Sequence, residues 1–187
     1  MRLVDVAHEF LSDHLTNGSV VIDATVGNAH DTQFLAQQVG INGRVYGFDI
    51  QSMAIETATM ILQTKKLFNR CTLIQAGHEK MDFHIPSSEK EKISAVMFNL
   101  GYLPHGDKSI TTLASTTRQA LNLSLEYLKI GGFLSVLAYR GHPGGTDEYE
   151  TVDEWIRSKK EELQIKKTQD SNHRAGAGPF LWILQKK

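Results

Sequence analysis

Residues 19–32 read SVVIDATVGNAHDT, and this stretch decides the fold class. Residues 19–25 have a continuous apolar centre, which is typical of a short strand buried on both faces of a parallel sheet. Gly27 follows among small residues, and apolar positions at Phe34 and Leu35 predict a helix directly after the turn. Strand, tight turn and helix in this order form the repeating unit of an α/β protein.

The same alternation recurs along the chain. Four more apolar runs predict strands, at residues 44–49, 72–75, 94–99 and 132–138. Amphipathic patterns between them predict helices, and the last of these helices is expected to stop at Gly131 and Gly132. Alternating strands and helices predict a doubly wound sheet of parallel strands.

The C-terminal part departs from this alternation. Residues 151–162 predict a charged helix, and residues 164–170 and 179–186 read as two strands. The loop between them, residues 171–178, is too short to hold a helix, so the two strands should form an antiparallel hairpin. Five parallel strands and a terminal hairpin, in a single domain over residues 1–187, outline a Rossmann-like α/β fold with a mostly parallel seven-stranded sheet. This is the outline of the class I S-adenosylmethionine-dependent methyltransferase fold.

The composition indicates the class of protein and its expected location in the cell. The chain has 187 residues, 41% of them hydrophobic, a formal net charge of −1 and one cysteine, Cys71. These values predict one globular domain, and the single cysteine excludes a disulfide framework and a zinc site built from cysteines. The N-terminus shows no signal peptide and no apolar run is long enough for a membrane span. We therefore expect a cytoplasmic protein without a membrane partner, and the histidines show no metal-ligand spacing.

Polar residues follow the predicted parallel strands. Since ligands of such sheets bind at the carboxyl ends of the strands, Asp49 is placed to bind two ribose hydroxyls. Asp31 or Thr32 is expected to cap the helix after the first strand. Gln51 is near the ribose or a methionine moiety, and His78 either contacts an adenine or is a structural loop residue. The turn at Gly27 is not a GxGxxG motif, so S-adenosylmethionine is favoured over NAD.

The fourth strand ends in the sequence NLGYLP, residues 99–104. Asn99 followed three residues later by Tyr102 resembles the Asn-Pro-Pro-Tyr signature of methyltransferases that alkylate amino nitrogens. Methyl transfer to nitrogen depends chiefly on positioning. An asparagine oxygen can accept a hydrogen bond from the target amine, and an aromatic ring can stack on a planar base.

Five segments make the chain recognisable. They are DATVGNAHDT at 23–32, GFDIQ at 47–51, GHE at 77–79, NLGYLP at 99–104 and YRGHPGG at 139–145. In this order they resemble the small bacterial family labelled "putative rRNA methylases", which includes tRNA 5-(aminomethyl)-2-thiouridine methyltransferases. The resemblance implies S-adenosylmethionine as cofactor, and methylation of the aminomethyl group of the wobble uridine in the anticodon stem-loop of tRNA.

The resemblance also implies roles for single residues. Asn99 and Tyr102 are the implied catalytic residues beside the target nitrogen. The implied cofactor contacts come from six polar side chains: Asn28, Asp31, Thr32, Asp49, Gln51 and His78. Ala29 is a departure, because glycine is expected there, and its methyl group crowds the loop if the backbone needs a positive φ.

Two outer loops border the expected substrate mouth. In the loop after the fifth strand, Arg140 and His142 are expected to hold phosphate or ribose, and Tyr139 to pack on a base. Arg174, in the loop between the last two strands, is expected to meet RNA as well. The alternative for both loops is a turn with incidental polar residues.

Other functions stay open at this stage. A small-molecule amine N-methyltransferase would need the same cofactor site, and a non-catalytic RNA-binding module would keep the fold without turnover. An NAD-dependent reductase is a more distant alternative. The sequence does not decide the oligomeric state, and a homodimer is one option.

Overall fold

A computed structural model describes residues 2–101, 110–171 and 178–187. Its seven strands are β1 (Val20–Asp23), β2 (Arg44–Asp49), β3 (Cys71–Gln75), β4 (Ile93–Leu100), β5 (Leu128–Tyr139), β6 (Leu163–Asp170) and β7 (Pro179–Lys186). The α-helices of these ranges are α1 (Leu3–Ser12), α2 (His30–Gln38), α3 (Ser52–Thr64), α4 (Met81–His84), α5 (Ala114–Tyr127) and α6 (Gly145–Ser158). In these ranges no helix is both long enough and apolar enough to cross a bilayer.

The strands form one sheet in the order β3-β2-β1-β4-β5-β7-β6. Strands β1 to β5 pair in parallel, while β7 pairs antiparallel with both β5 and β6. The predicted fold class, a mostly parallel seven-stranded sheet with an antiparallel C-terminal hairpin, is therefore confirmed. Strand order reverses between β1 and β4, which is where an open α/β sheet opens a crevice for a ligand.

Alternation along the central strands builds a core on each face of the sheet. In β1, Val21 packs with residues of α1 and α2, and Ile22 packs with residues of α5 and α6 on the opposite face. Both side chains are fully buried. Strands covered by helices on both faces must be apolar at successive positions, which explains the continuous apolar runs of the sequence.

Predicted helix boundaries are wrong at three places, one of them the end of α6, which lies at Ser158 instead of residue 162. Helix α5 ends at Tyr127, and Gly131 and Gly132 lie inside β5 instead of ending the helix. Gly131 has φ +77°, and a Cβ on Gly132 would lie 2.9 Å from the Lys129 carbonyl oxygen. The glycines therefore allow an irregularity in the β4–β5 pairing. Helix α6 begins six residues before the predicted start at residue 151, because Gly144 with φ +80° turns the chain into it.

Candidate active site

A cavity of about 540 Å³ opens at the carboxyl ends of β1, β2, β3 and β4. We call it the strand-end cavity. It is lined by the segments after these strands, by residues 110–113 and by part of the loop after β5. Its volume falls in the range of small-molecule sites. Its position beside the β1–β4 reversal agrees with the expected ligand position.

The loop after β1 forms one wall of the strand-end cavity. The Val26 N–H donates to the Phe48 carbonyl at 2.9 Å, and the Ala29 N–H donates to the Val26 carbonyl at 2.8 Å. Gly27 and Ala29 have φ of +49° and +61°. Ala29 therefore has the positive φ that the sequence analysis considered. This conformation costs an L-residue more conformational energy than it costs glycine. The Ala29 methyl is buried and packs in a small cluster with Val26 and Ala58.

Neither Asp31 nor Thr32 caps α2. The residue before the helix is Ala29, whose methyl side chain cannot accept a hydrogen bond from the first turn. Thr32 is buried and its hydroxyl donates to Asp23 Oδ2 at 2.5 Å. The Thr32 side chain is directed into the protein interior, and Thr32 does not line the strand-end cavity. Asp31 does line it, and its partners are described below.

Asp49 ends β2 at the wall of the strand-end cavity. Its Oδ2 accepts the Gly27 N–H at 2.8 Å and its Oδ1 accepts the Gln51 N–H at 2.9 Å. A carboxylate oxygen accepts more than one hydrogen bond, so both oxygens keep capacity for a ligand. This pair of acceptors fits the vicinal hydroxyls of a ribose, as in S-adenosylmethionine. Asn28 and Gln51 line the same cavity.

His78 lines the strand-end cavity from the segment after β3. Its ring is buried, and Nδ1–H donates to the Ala24 carbonyl at 3.1 Å. Burial lowers the pKa of His78, so the ring is neutral and Nε2 is an acceptor. The ring also makes an edge contact with Phe98, with centroids 5.5 Å apart. His78 therefore has a structural role in its loop, which was one of the two predicted roles, and it also lines the cavity.

Asn99, the predicted catalytic residue, ends β4 at the same cavity. Its N–H donates to Thr25 Oγ1 at 2.8 Å, and its side-chain Nδ2 lies 3.5 Å from Asp31 Oδ2. A carboxylate accepts hydrogen bonds, so the amide nitrogen faces Asp31 and the amide oxygen is left to accept another hydrogen bond. Asp31 Oδ1 accepts a second hydrogen bond, from His8 Nε2 at 2.6 Å. No spacing in the sequence connects α1 to this site, and sequence analysis missed His8.

A second buried carboxylate holds the end of β4. Glu148 accepts hydrogen bonds from Thr112 Oγ1 and Thr117 Oγ1 at 2.7 and 2.5 Å. Thr112 in turn accepts the Gly101 N–H at 2.9 Å. Burial raises the pKa of Glu148. Sequence analysis also missed this network, which anchors both sides of the segment that contains Tyr102. Tyr102 itself lies outside the described residues.

The predicted substrate contacts divide into two groups. Tyr139 and His142 line the strand-end cavity. Arg140 has other partners, because its Nη2 pairs with Asp170 at 2.6 Å and its Nε–H donates to the Gly178 carbonyl at 2.8 Å. Its side chain is only 12% exposed, so the guanidinium joins β5 to the terminal hairpin and is not presented to a phosphate. Arg174 lies outside the described residues.

Asp23 is a fully buried carboxylate beneath the strand-end cavity. Burial and the nearby Asp31 charge raise its pKa to about 7, against the opposing hydrogen bonds from Thr32 and Thr25. A folded-state pKa above the unfolded value means that the fold favours the protonated acid. This contribution to stability is complete below about pH 4 and is lost as the pH rises through about 7.

We therefore expect Asp23→Asn to become more stable than the parent as pH rises from 4 to 8. The difference in free energy of unfolding should grow by roughly 2–4 kcal/mol, because the amide cannot ionise. Urea unfolding of both proteins across this pH range measures it. Asp13→Asn, at an exposed position, is the control and should run parallel to the parent. Parallel curves for Asp23→Asn as well would contradict the raised pKa.

The fold and the strand-end cavity define a class I methyltransferase, and comparisons with known proteins agree. Residues 45–185 match the family described as "Putative rRNA methylase". A structure described as a putative rRNA-methylase from Clostridium thermocellum superposes with a TM-score of 0.91, at 40% identity and over 98% of this chain and 97% of that one. A putative methyltransferase from Streptococcus mutans, solved in complex with S-adenosylhomocysteine, gives a TM-score of 0.86 at 31% identity, over 100% and 99%.

The chain belongs to this rRNA methylase family. A curated relative is the "tRNA (mnm(5)s(2)U34)-methyltransferase, chloroplastic" of Arabidopsis thaliana. It is 40% identical over 166 residues, which are 81% of this chain and 58% of that protein. The present chain therefore spans less than two thirds of the length of this relative.

Proposed function

We propose that this protein transfers the methyl group of S-adenosylmethionine to the amino nitrogen of 5-aminomethyl-2-thiouridine at the wobble position of tRNA. The observation that carries the proposal is the orientation of Asn99, whose amide nitrogen faces Asp31 and whose oxygen is left to accept an N–H. This asparagine shares the strand-end cavity with Asp49, the carboxylate suited to a ribose. The name of the Arabidopsis relative supports the choice of substrate.

The residues of the cavity account for the chemistry in simple steps. When bound, S-adenosylmethionine supplies an electrophilic methyl group. Asp49, whose oxygens accept the Gly27 and Gln51 N–H groups, would hold the ribose. Asn28, Gln51 and His78 are further polar residues of the cavity wall. Asn99 accepts a hydrogen bond from the target amine and orients its lone pair, so that catalysis rests mainly on positioning.

The substrate side of the proposal uses the rim of the cavity. Tyr139 is 39% exposed there and offers a face on which a base can stack. Tyr102 is proposed to do the same beside Asn99. Since Arg140 is bonded within the protein, we do not include it among the phosphate contacts, and Arg174 stays a proposed contact of the RNA. The proposed substrate fits a cytoplasmic enzyme.

The test is mass spectrometry of tRNA nucleosides after incubation with the protein and S-adenosylmethionine. Transfer RNA that carries the aminomethyl group should gain one methyl group on the wobble nucleoside, and tRNA without that group should gain none. Methylation of free amines but not of tRNA would favour the small-molecule alternative. Stoichiometric cofactor binding without turnover on either would favour a non-catalytic RNA-binding module.

A further inference from the structure

Two side chains, His8 and Asp31, connect the protein surface to Asn99, the proposed catalytic asparagine. His8 donates from Nε2 to Asp31 Oδ1 at 2.6 Å, and Asp31 Oδ2 lies 3.5 Å from Asn99 Nδ2. The His8 side chain is 22% exposed, whereas that of Asp31 is 5% exposed. The His8 ring is stacked on Phe34 with centroids 4.0 Å apart and planes 8° apart, so its orientation is fixed. We call this set the His8–Asp31–Asn99 chain.

The proposed reaction creates a need for a proton acceptor. This need rests on the proposed function, in which the substrate is a primary aliphatic amine. Such an amine carries a proton at neutral pH, as lysine does. The protonated nitrogen has no lone pair and cannot attack the methyl group. A base that accepts this proton inside the site frees the lone pair for attack, and such proton transfer contributes about 10²–10⁴-fold in enzymes.

We propose that Asp31 takes this proton and that His8 is a positioning residue that holds the Asp31 carboxylate in place. The N–H bond of the substrate ammonium breaks, an O–H bond forms at Asp31 Oδ2, and the electron pair stays on nitrogen. The neutral amine then attacks the sulfonium methyl group: the N–C bond forms, the C–S bond breaks and a secondary ammonium results. Asp31 releases the proton to water after the product has left.

The geometry selects Asp31 among the acids of this region. Asp31 lines the strand-end cavity and contacts the residue that addresses the target nitrogen. Asp23 does not line the cavity, and its oxygens accept hydrogen bonds from Thr32 and Thr25. Asp49 lies at the end of β2, and it supports the Gly27 turn with one oxygen and Gln51 with the other. Asp31 is thus placed for the substrate and Asp49 for the cofactor.

Other charges surround the His8–Asp31–Asn99 chain and shape its pH response. Those that face it or line the same cavity are Arg2 just before α1, Asp5 from α1, Asp23 from β1, Asp49 from β2, His78 and Glu79 after β3, Tyr139 and His142 from the β5 side, and His30 beside Asp31. All of them are retained in the variants below. A change in pH profile between parent and variant therefore reports on the substituted residue.

The experiment measures single-turnover methylation of aminomethyl-bearing tRNA between pH 6 and 10, at saturating S-adenosylmethionine. Asp31→Asn should lower the rate at pH 7 about a hundredfold or more. Its rate should then rise by about tenfold per pH unit, because solution supplies the neutral amine, and should approach the parental rate near pH 10. His8→Gln keeps a donor to Asp31 but alters its geometry, and should show a smaller deficit of about tenfold that also narrows with pH.

His14→Gln is the matched control. His14 follows the same helix, but its Nδ1–H donates to the Phe10 carbonyl and its ring packs on Phe10 and Phe133, away from the strand-end cavity. Its pH profile should equal that of the parent. Calorimetry with S-adenosylhomocysteine provides a readout independent of turnover, and all three variants should bind it within about threefold of the parent, since the proposed role of Asp31 is toward the amine.

The outcomes are separable. If the parent does not methylate this tRNA at any pH, the proposed function fails and the inference falls with it. If the parent is active, a deficit in Asp31→Asn that is the same at every pH, or that comes with a large loss of S-adenosylhomocysteine affinity, would overturn the inference alone and make Asp31 a cofactor ligand. If Asp31→Asn does not fold, His8→Gln decides, and a parental profile in that variant overturns the role of His8 and Asp31.

Discussion

Replacing Asn99 by alanine should lower the single-turnover rate of methyl transfer about a hundredfold or more, in line with the loss of one positioned polar group at a reacting centre. The amide nitrogen of Asn99 faces Asp31, and alanine removes the amide oxygen that is proposed to orient the amine. Affinity for S-adenosylhomocysteine should change little, since an orienting group acts on turnover more than on cofactor binding.

Quench-flow with labelled S-adenosylmethionine measures the Asn99→Ala rate, and calorimetry measures its cofactor affinity. Asn42→Ala is a suitable control, because Asn42 is exposed in the turn before β2, at the opposite edge of the sheet. A parental rate in Asn99→Ala would mean that this asparagine only ends β4 through its N–H bond to Thr25.

Asp49→Ala should weaken binding of S-adenosylmethionine and S-adenosylhomocysteine by about ten- to a hundredfold. The loss corresponds to charge-assisted hydrogen bonds of roughly 1.5–3 kcal/mol. Part of it comes from the loop itself, since Asp49 also accepts the Gly27 and Gln51 N–H groups that shape the cavity wall. Isothermal titration calorimetry on protein with a confirmed folded state measures the change.

The control for this prediction is Asp82→Ala, which removes an exposed carboxylate that does not line the strand-end cavity. Its cofactor affinity should equal that of the parent. An unchanged dissociation constant for Asp49→Ala would remove the assignment of Asp49 to the ribose, and the cavity would then need a different cofactor position.

Much of the site could be predicted because strand ends are visible in the sequence. Asp49 and Asn99 each follow a continuous apolar run, and parallel strands bring their carboxyl ends to one edge. Both residues line the strand-end cavity as expected. Gln51 and His78 were singled out for the same reason, since each follows a strand within a few residues, whereas Asn28 was implied by the family resemblance.

Partners that come from distant elements could not be predicted. Asp31 was expected to cap a helix, but its carboxylate pairs with His8, 23 residues earlier on α1. Arg140 was expected to meet RNA, but Asp170 and Gly178 on the terminal hairpin bind it. The sequence around Arg140 is compatible both with an RNA contact and with a contact inside the protein, because only the packing of β5 against β7 decides which acceptors reach the arginine.

The sequence by itself determined the class of fold, since apolar periodicity states which segments are buried strands and the short loop before Pro179 requires an antiparallel partner. It also determined which polar residues share the edge of the sheet. The tertiary structure alone decided the charge and orientation of those residues. The raised pKa of Asp23, the neutral ring of His78 and the direction of the Asn99 amide depend on burial and on hydrogen bonds across the fold, and such contacts leave no spacing in the chain.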